Sequence, residues 1–167
     1  MTDAASPSLS QGRRKFLVVA DDSPEFAAAL KYACRRARST DGHVALLKVI
    51  SPAEFEHWSG VREEIERQER EEAEVLLQSL AARVVAETGL PPEFIIKHAD
   101  STRTALKAVV AADPSIKILI LATSTAGRGP GPLIAAIAKE GVGFAGRKLP
   151  VTVVPGDLTD EEIEELA

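Results

Sequence analysis

Five short apolar runs alternate along the chain with longer segments whose apolar residues recur every three or four positions. Runs of this length are typical of strands, and the wider spacing is typical of helices with one buried face. Such alternation predicts a single α/β domain, in which a five-stranded, mainly parallel sheet carries helices on both faces. The predicted strands are residues 16–20, 44–50, 94–99, 116–122 and 151–154.

The fourth run is the most hydrophobic, and such runs are typical of strands that are buried on both faces. We therefore expect residues 118–121 to be among the most buried in the protein. Ser23 is predicted to cap the first helix, with Pro24 in its first position, and Asp100 or Ser101 to cap the third.

The second helix is predicted over residues 61–87 and is strongly charged in its first half. Glu63–Arg67 and Glu66–Arg70 have the spacing and order of favourable i,i+4 ion pairs. Thr88-Gly89 is expected to end this helix, because glycine readily adopts the left-handed conformation of a C-terminal cap.

The acidic C-terminal segment carries its own helix signals. Thr159 with Glu162 matches a capping box, and Leu158 with Ile163 has the spacing of a hydrophobic staple. We expect a short helix docked on the rest of the protein. The predicted organisation is a disordered tail over residues 1–13, a domain over residues 14–156 and an acidic helix over residues 157–167.

Composition excludes several classes of protein. The single cysteine, Cys34, excludes an intramolecular disulfide and a cysteine-based zinc site, and it lies among the core residues of the first helix. No apolar run approaches the roughly 20 residues that span a bilayer. The small polar N-terminus lacks the apolar stretch of a signal peptide. We therefore expect a cytoplasmic protein without membrane association.

The net charge of −5 is local in origin. Residues 62–74 and 157–167 together sum to −10, so the remaining residues sum to +5. Arg13, Arg14 and Lys15 form the main basic cluster, which is too short to predict nucleic-acid binding.

In open parallel sheets, ligands bind beyond the carboxyl ends of the strands, so the residues after strands one, two and four are the candidates for chemistry. Asp21 and Asp22 could coordinate Mg²⁺ or bind a sugar hydroxyl, or could serve only to end the strand and cap the helix. The loop over residues 123–132 has glycines, hydroxyls and Arg128, as phosphate sites do, but it matches no known phosphate signature and could be a simple connection.

The remaining polar and aromatic residues favour structural roles. His43, His57 and His98 are expected to be surface histidines, because no two have metal-ligand spacing on one element. Phe55 and Trp58 could form a lid, or pack their loop onto the sheet. A small α/β hydrolase or phosphatase remains an alternative, although no histidine is placed to serve either aspartate as a base.

The chain resembles the universal stress protein family over about residues 14–155. The opening strand Lys15–Ser23, the second strand His43–Pro52 and the closing strand Leu149–Val154 are each similar to the family's segments, in the family's order and spacing. The resemblance implies an adenine-nucleotide alpha-hydrolase-like fold with strand order 3-2-1-4-5. It also implies a binding or regulatory role in stress response instead of conventional catalysis.

In ATP-binding members, a first-strand aspartate and a second-strand valine hold the adenosine, which here implies Asp21 and Val49. The phosphates lie on a pattern of Gly, two residues, Gly, nine residues, then Gly-Ser or Gly-Thr. Here Ser124 replaces the first glycine when Gly127 is the second, and the terminal pair falls on Ile137-Ala138, or on Ala135-Ala136 in the other register. The nucleotide-contacting residues that the resemblance implies are Ala20, Asp21, Val49, Thr123, Ser124, Gly127, Arg128 and Gly129.

These departures predict that ATP binds weakly or not at all, and the extra charge of Asp22 acts in the same direction. The alternative is a sensor that binds ATP or AMP, with Mg²⁺, through an altered loop. A homodimer is expected through the last strand, Val151–Val154, because an uncovered sheet edge is a template for pairing. Alternatively, the acidic tail covers that edge in a monomer.

Overall fold

The computed structural model describes residues 12–21, 23–52, 59–125, 127, 129–140 and 146–167. Five strands form one sheet in the order β3-β2-β1-β4-β5, and every neighbouring pair is parallel. The predicted fold class and strand order are confirmed. The strands are β1 (Lys15–Val19), β2 (His43–Ile50), β3 (Glu93–His98), β4 (Ile116–Thr123) and β5 (Val151–Pro155).

Helices cover both faces of the sheet because each strand sends alternate apolar side chains to opposite sides. The helices are α1 (Phe26–Ser39), α2 (Ser59–Thr88), α3 (Thr102–Ala112), α4 (Pro132–Glu140) and α5 (Asp160–Leu166). One core cluster joins the sheet to α1, α2 and α5, and the other joins it to α3 and α4. None of the helices in the described ranges is long and apolar enough to cross a membrane.

Strand β4 is largely buried, as its apolar run predicts. Leu119 and Ile120 are fully buried and Leu121 is nearly so, whereas Ile118 is only partly covered. Cys34 is also buried in the core, and burial raises the pKa of its thiol to about 12. The thiol is therefore an apolar packing group in this fold.

The start of α1 differs from the prediction. The helix begins at Phe26, and Ser23 is not its side-chain cap; Glu25 holds the cap position, and its side chain does not cap the helix. The Ser23 hydroxyl instead donates to Asp21 Oδ1 at 2.5 Å. Because the helix begins three residues after Ser23, this hydroxyl orders the turn between β1 and α1 instead of capping the helix.

The other helix ends follow the predicted signals. Ser101 caps α3, accepting a hydrogen bond from the Thr104 amide at 3.1 Å. Gly89 follows α2 with a φ of +78°, and its amide donates to Val85 O at 2.8 Å. In α5 both halves of the capping box are present, and the side chain of Ile163 is buried in the core.

The arginines and glutamates of α2 form ion pairs, but with partners other than the predicted ones. Arg67 pairs with Glu64 and Glu71 instead of Glu63, and Glu66 pairs with Arg62. Arg70 turns to Glu74 at 3.6 Å. Each arginine has several glutamates within one turn, and these exposed pairs differ little in free energy, so spacing alone does not select between them.

Helix α5 packs against α1 and is held there by charge as well as by Ile163. Lys31 Nζ lies 2.7 Å from Asp160 Oδ1, and Arg35 Nη2 lies 3.5 Å from Glu164 Oε1. The acidic segment is therefore a docked helix. The tail at residues 1–11 lies outside the described residues, and the boundary drawn between domain and helix stays a prediction.

A buried ion cluster lies at the amino ends of the strands. Lys15 Nζ is 2.5 Å from Glu93 Oε2 and 2.6 Å from Asp113 Oδ2. Beside it, His43 is buried, and its Nδ1 has no hydrogen-bond partner in the described part of the chain, so the expectation of a surface histidine is wrong at this position. Burial, together with the charges of Lys15 and Arg13, lowers the pKa of His43. The side chain of His98 is exposed, and His57 lies outside the described residues.

Candidate functional site

The residues that the sequence predicts for the site follow three adjacent strands, β2, β1 and β4, and lie side by side at the carboxyl ends of those strands. Val19 pairs with Leu47 of β2, and Val18 pairs with Ile120 of β4. Extending these registers places Asp21 level with both Val49 and Thr123. The structure therefore groups the residues that follow strands one, two and four, as parallel pairing requires.

The environments of these residues differ. Ala20 is buried, and its amide donates to Leu47 O at 2.8 Å, which extends the pairing beyond β1. Asp21 is exposed, whereas Val49, Thr123 and Ser124 are half-buried. The edge thus offers one accessible carboxylate beside two hydroxyl side chains.

Asp21 organises the turn between β1 and α1. Its Oδ1 accepts hydrogen bonds from the Ser23 amide at 2.8 Å and from the Ser23 hydroxyl at 2.5 Å. Both bonds use the same oxygen, so Oδ2 retains its capacity to accept from a ligand hydroxyl. The predicted contribution of Asp22 lies outside the described residues.

The loop after β4 is dominated by glycines in the left-handed conformation. Gly127, Gly129 and Gly131 have φ values of +79°, +75° and +82°, and a Cβ on any of them would meet open space. Only their backbone conformation, and no close neighbour, favours glycine. Pro130 and Pro132 lack N–H groups, so the loop has fewer donors for a phosphate than its glycine content indicates. Arg128 lies outside the described residues.

The residues that align with the family's terminal phosphate-binding pair lie inside α4. In one register they are Ile137-Ala138, and Ile137 is buried in the core. In the other they are Ala135-Ala136, and the Ala135 amide already donates to Gly131 O at 3.1 Å. Amides in the interior of a helix bond to carbonyls one turn back, so neither pair can present its N–H groups to a phosphate.

A cavity of about 310 Å³ opens at the end of β2, between that strand and α2. We call it the β2–α2 cavity. Its size is in the range of small-molecule pockets. It is lined by Lys48, Val49, Ile50, Ser51, Glu69, Glu72, Ala73 and Leu76. Val49 thus joins the cavity to the strand-end site.

Lys48 and Glu69 are two of the three charged residues that line this cavity, and the sequence pattern did not predict a role for either. Lys48 is the only charged residue in the apolar run at residues 44–50, and this interruption was the available signal. Glu69 lies in a glutamate-rich segment, where nothing distinguishes it from its neighbours. Only the packing of α2 on β2 selects it.

The described residues contain no group of three or more side chains that could hold a metal ion. Asp21 is therefore not part of such a group among the described residues. After the end of β5, Gly156 packs so closely against Glu25 that a Cβ on Gly156 would lie 2.8 Å from the Glu25 Cα. This contact holds the start of α1 against the end of β5.

Comparison with known proteins gives a consistent result. The model of the universal stress protein family matches residues 12–141. A search of curated proteins found no match.

Several solved structures have the same fold. The universal stress protein UspA from Lactobacillus plantarum is 17% identical, with a TM-score of 0.64 over 86% of this chain and 97% of that one. A family protein from Burkholderia pseudomallei is 16% identical, with a TM-score of 0.62 over 86% and 96%. A universal stress protein in complex with cAMP is 15% identical, with a TM-score of 0.60 over 87% and 98%.

Proposed function

Because the chain belongs to the universal stress protein family, we propose that it acts by binding an adenine nucleotide at the carboxyl edge of its sheet. In this proposal the adenosine and one phosphate are held, and the triphosphate of ATP is held weakly or not at all. The protein would then serve as a cytoplasmic regulatory component of a stress response, without conventional catalysis.

The position of the predicted terminal pair inside α4 is the observation that carries this proposal. A triphosphate needs several N–H donors, and helix-interior amides cannot supply them. Asp21 adds negative charge near the same edge, which disfavours a polyanion unless a cation intervenes. A single phosphate requires fewer N–H donors from the glycine loop than a triphosphate does.

The residues implied to hold the adenosine favour nucleotide binding. Asp21 has a free acceptor oxygen for a ribose hydroxyl, and Val49 leads into the β2–α2 cavity. One structural neighbour is a complex with cAMP, a nucleotide with one phosphate. The alternative, a sensor that binds ATP through an altered loop, requires Arg128 or Mg²⁺ to compensate the acidic edge.

Calorimetry with AMP and with Mg-ATP tests the proposal. We expect AMP to bind more tightly than Mg-ATP, and Asp21→Asn to weaken AMP binding about fivefold by replacing a charged acceptor with a neutral one. Asp41→Asn is the matched control, since Asp41 is an exposed aspartate just before β2 and therefore lies at the amino ends of the strands, away from Asp21. A dissociation constant for Mg-ATP in the low micromolar range would support the altered-loop sensor instead.

We further propose that the protein forms a homodimer through β5. This strand is at the edge of the sheet, and Val153 is 41% exposed. Helix α5 packs on α1, which argues against the alternative in which the acidic tail covers the strand. Antiparallel pairing of two copies would satisfy both edges around a two-fold axis.

Light scattering decides between dimer and monomer. Val153→Asp should give a monomer, because the substitution places a charge in the interface. Val75→Asp on the exposed face of α2 is the control and should stay dimeric. A monomeric mass for the unmodified protein at micromolar concentration would exclude the dimer. A dimeric mass for the Val153→Asp variant would show that the interface lies elsewhere than at β5.

A further inference from the structure

The β2–α2 cavity contains two charged side chains that do not neutralise one another. Lys48 lines it from β2, and within the described part of the chain Lys48 makes no ion pair. Glu69 lines it from α2, and its Oε2 is buried with no hydrogen-bond partner among the described residues. The two residues occupy one cavity of about 310 Å³ without an ion pair between them.

Burial of these two side chains costs free energy unless a bound molecule supplies the hydrogen bonds that they lack. A buried carboxylate oxygen without a donor loses the hydrogen bonds that it made to water, and a lysine on a largely buried strand loses part of its hydration. The neighbouring Glu72 differs from Glu69, because its Oε1 accepts a hydrogen bond from Gln68 Nε2 at 3.2 Å. Glu69 is thus the acid in this cavity whose acceptor is unused.

A ligand that satisfies both groups must present a donor and an acceptor on one edge. The edge of adenine does so, since its exocyclic amino group lies beside an unprotonated ring nitrogen. The cavity also begins at Val49, level with Asp21, so a base placed there leaves the sugar toward the strand ends.

We propose that Glu69 and Lys48 determine which base the protein accepts. Glu69 accepts a hydrogen bond from the exocyclic amino group, and Lys48 donates one to the adjacent ring nitrogen. This inference rests on the nucleotide-binding function proposed above. It adds that side chains of α2 and β2, and not only the strand backbone, read the base.

Comparison of AMP with IMP tests the assignment, because IMP carries a carbonyl oxygen in place of the amino group and a protonated ring nitrogen beside it. In the unmodified protein, IMP should bind about tenfold to a hundredfold more weakly than AMP, since two acceptors would face each other at Glu69. Glu69→Gln should reduce this preference without abolishing it, because an amide can turn to donate to the carbonyl, whereas Lys48 still faces the protonated ring nitrogen of IMP.

The matched control is Glu72→Gln, a substitution of the same kind in the same cavity. It should leave the ratio of AMP to IMP affinity unchanged, because Glu72 already has a partner. Lys48→Met should weaken AMP binding about tenfold, the loss of one charged hydrogen bond. Circular dichroism of each variant establishes that the changes in affinity do not come from unfolding.

Photolabelling locates the base independently of affinity. With 2-azido-AMP, peptide mapping should find the label on residues 48–51 or 69–76. Label confined to other parts of the chain, or a Glu69→Gln variant with the unmodified ratio, would overturn the assignment while nucleotide binding stands. Absence of binding by both AMP and IMP would overturn the proposed function and this inference together.

Discussion

Replacement of Lys15 by methionine should destabilise the protein strongly, because it leaves two carboxylates without their cation. Lys15 is only 8% exposed, and its Nζ contacts both Glu93 and Asp113. Methionine has a similar length, so the change removes the charge while most of the packing is kept.

The magnitude follows from the burial of the cluster. Removal of one partner from a buried ion pair costs about 3–5 kcal/mol. The side chains of Glu93 and Asp113 are 31% and 26% exposed, so water can still reach them after the substitution. We therefore expect the free energy of unfolding to fall by about 3 kcal/mol, the low end of that range.

The effect should also depend on pH. Burial raises the pKa of Asp113, but the hydrogen bonds from Lys15 and Ser115 outweigh it and hold the pKa below its usual value. A carboxyl with a lowered folded-state pKa contributes stability above its unfolded pKa, and that stability is lost as the pH falls through the folded value. The difference between the unmodified protein and Lys15→Met should therefore shrink once the pH falls below about 4.

Urea denaturation followed by circular dichroism measures the change. Lys117→Met is the matched control, because Lys117 is an exposed lysine on β4 of the same sheet, and it should change stability by less than about 0.5 kcal/mol. Additional replacement of Glu93 by Gln and Asp113 by Asn should recover part of the loss, since no unpaired charge then remains. A Lys15→Met protein as stable as the control at neutral pH would refute the reasoning.

Two further predictions concern α5 and the buried histidine. Ile163→Ala should release α5, with a cost of about 2–5 kcal/mol shared between lost packing and undocking, and amides in residues 160–166 should then exchange fast while the sheet stays protected. Leu166→Ala, on an exposed side chain, is the control, and fast exchange of this segment in the unmodified protein would contradict the docked helix. The lowered pKa of His43 means that the unfolded state binds the proton more readily, so stability should fall as the pH drops through about 6.5. His43→Gln should flatten this part of the stability profile relative to His98→Gln, and an unaltered profile would exclude His43 as its source.

The sequence by itself determined which elements form and their order along the chain. The apolar run at residues 116–122 has the length and composition of a buried strand, and β4 occupies it almost unchanged. Thr159 and Glu162 define the start of α5 through contacts three residues apart, and Ser101 defines the start of α3 in the same way. These features depend on contacts within one helical turn, for which spacing along the chain is the main determinant. The strand order came from the family resemblance, because the βα alternation alone is compatible with other orders.

The tertiary structure decided which polar side chains share a neighbourhood. Ser23 has the right position for a cap, but its hydroxyl turned to Asp21 once the β1–α1 turn was formed. His43 looked like a surface residue, and the register between β1 and β2 buried it opposite Lys15. Lys48 and Glu69 are 21 positions apart, and only the packing of α2 on β2 places them in one cavity. Hydrogen bonds and charges act over a few ångströms in space, so their partners are fixed by helix packing and strand register, which hydrophobic periodicity does not encode.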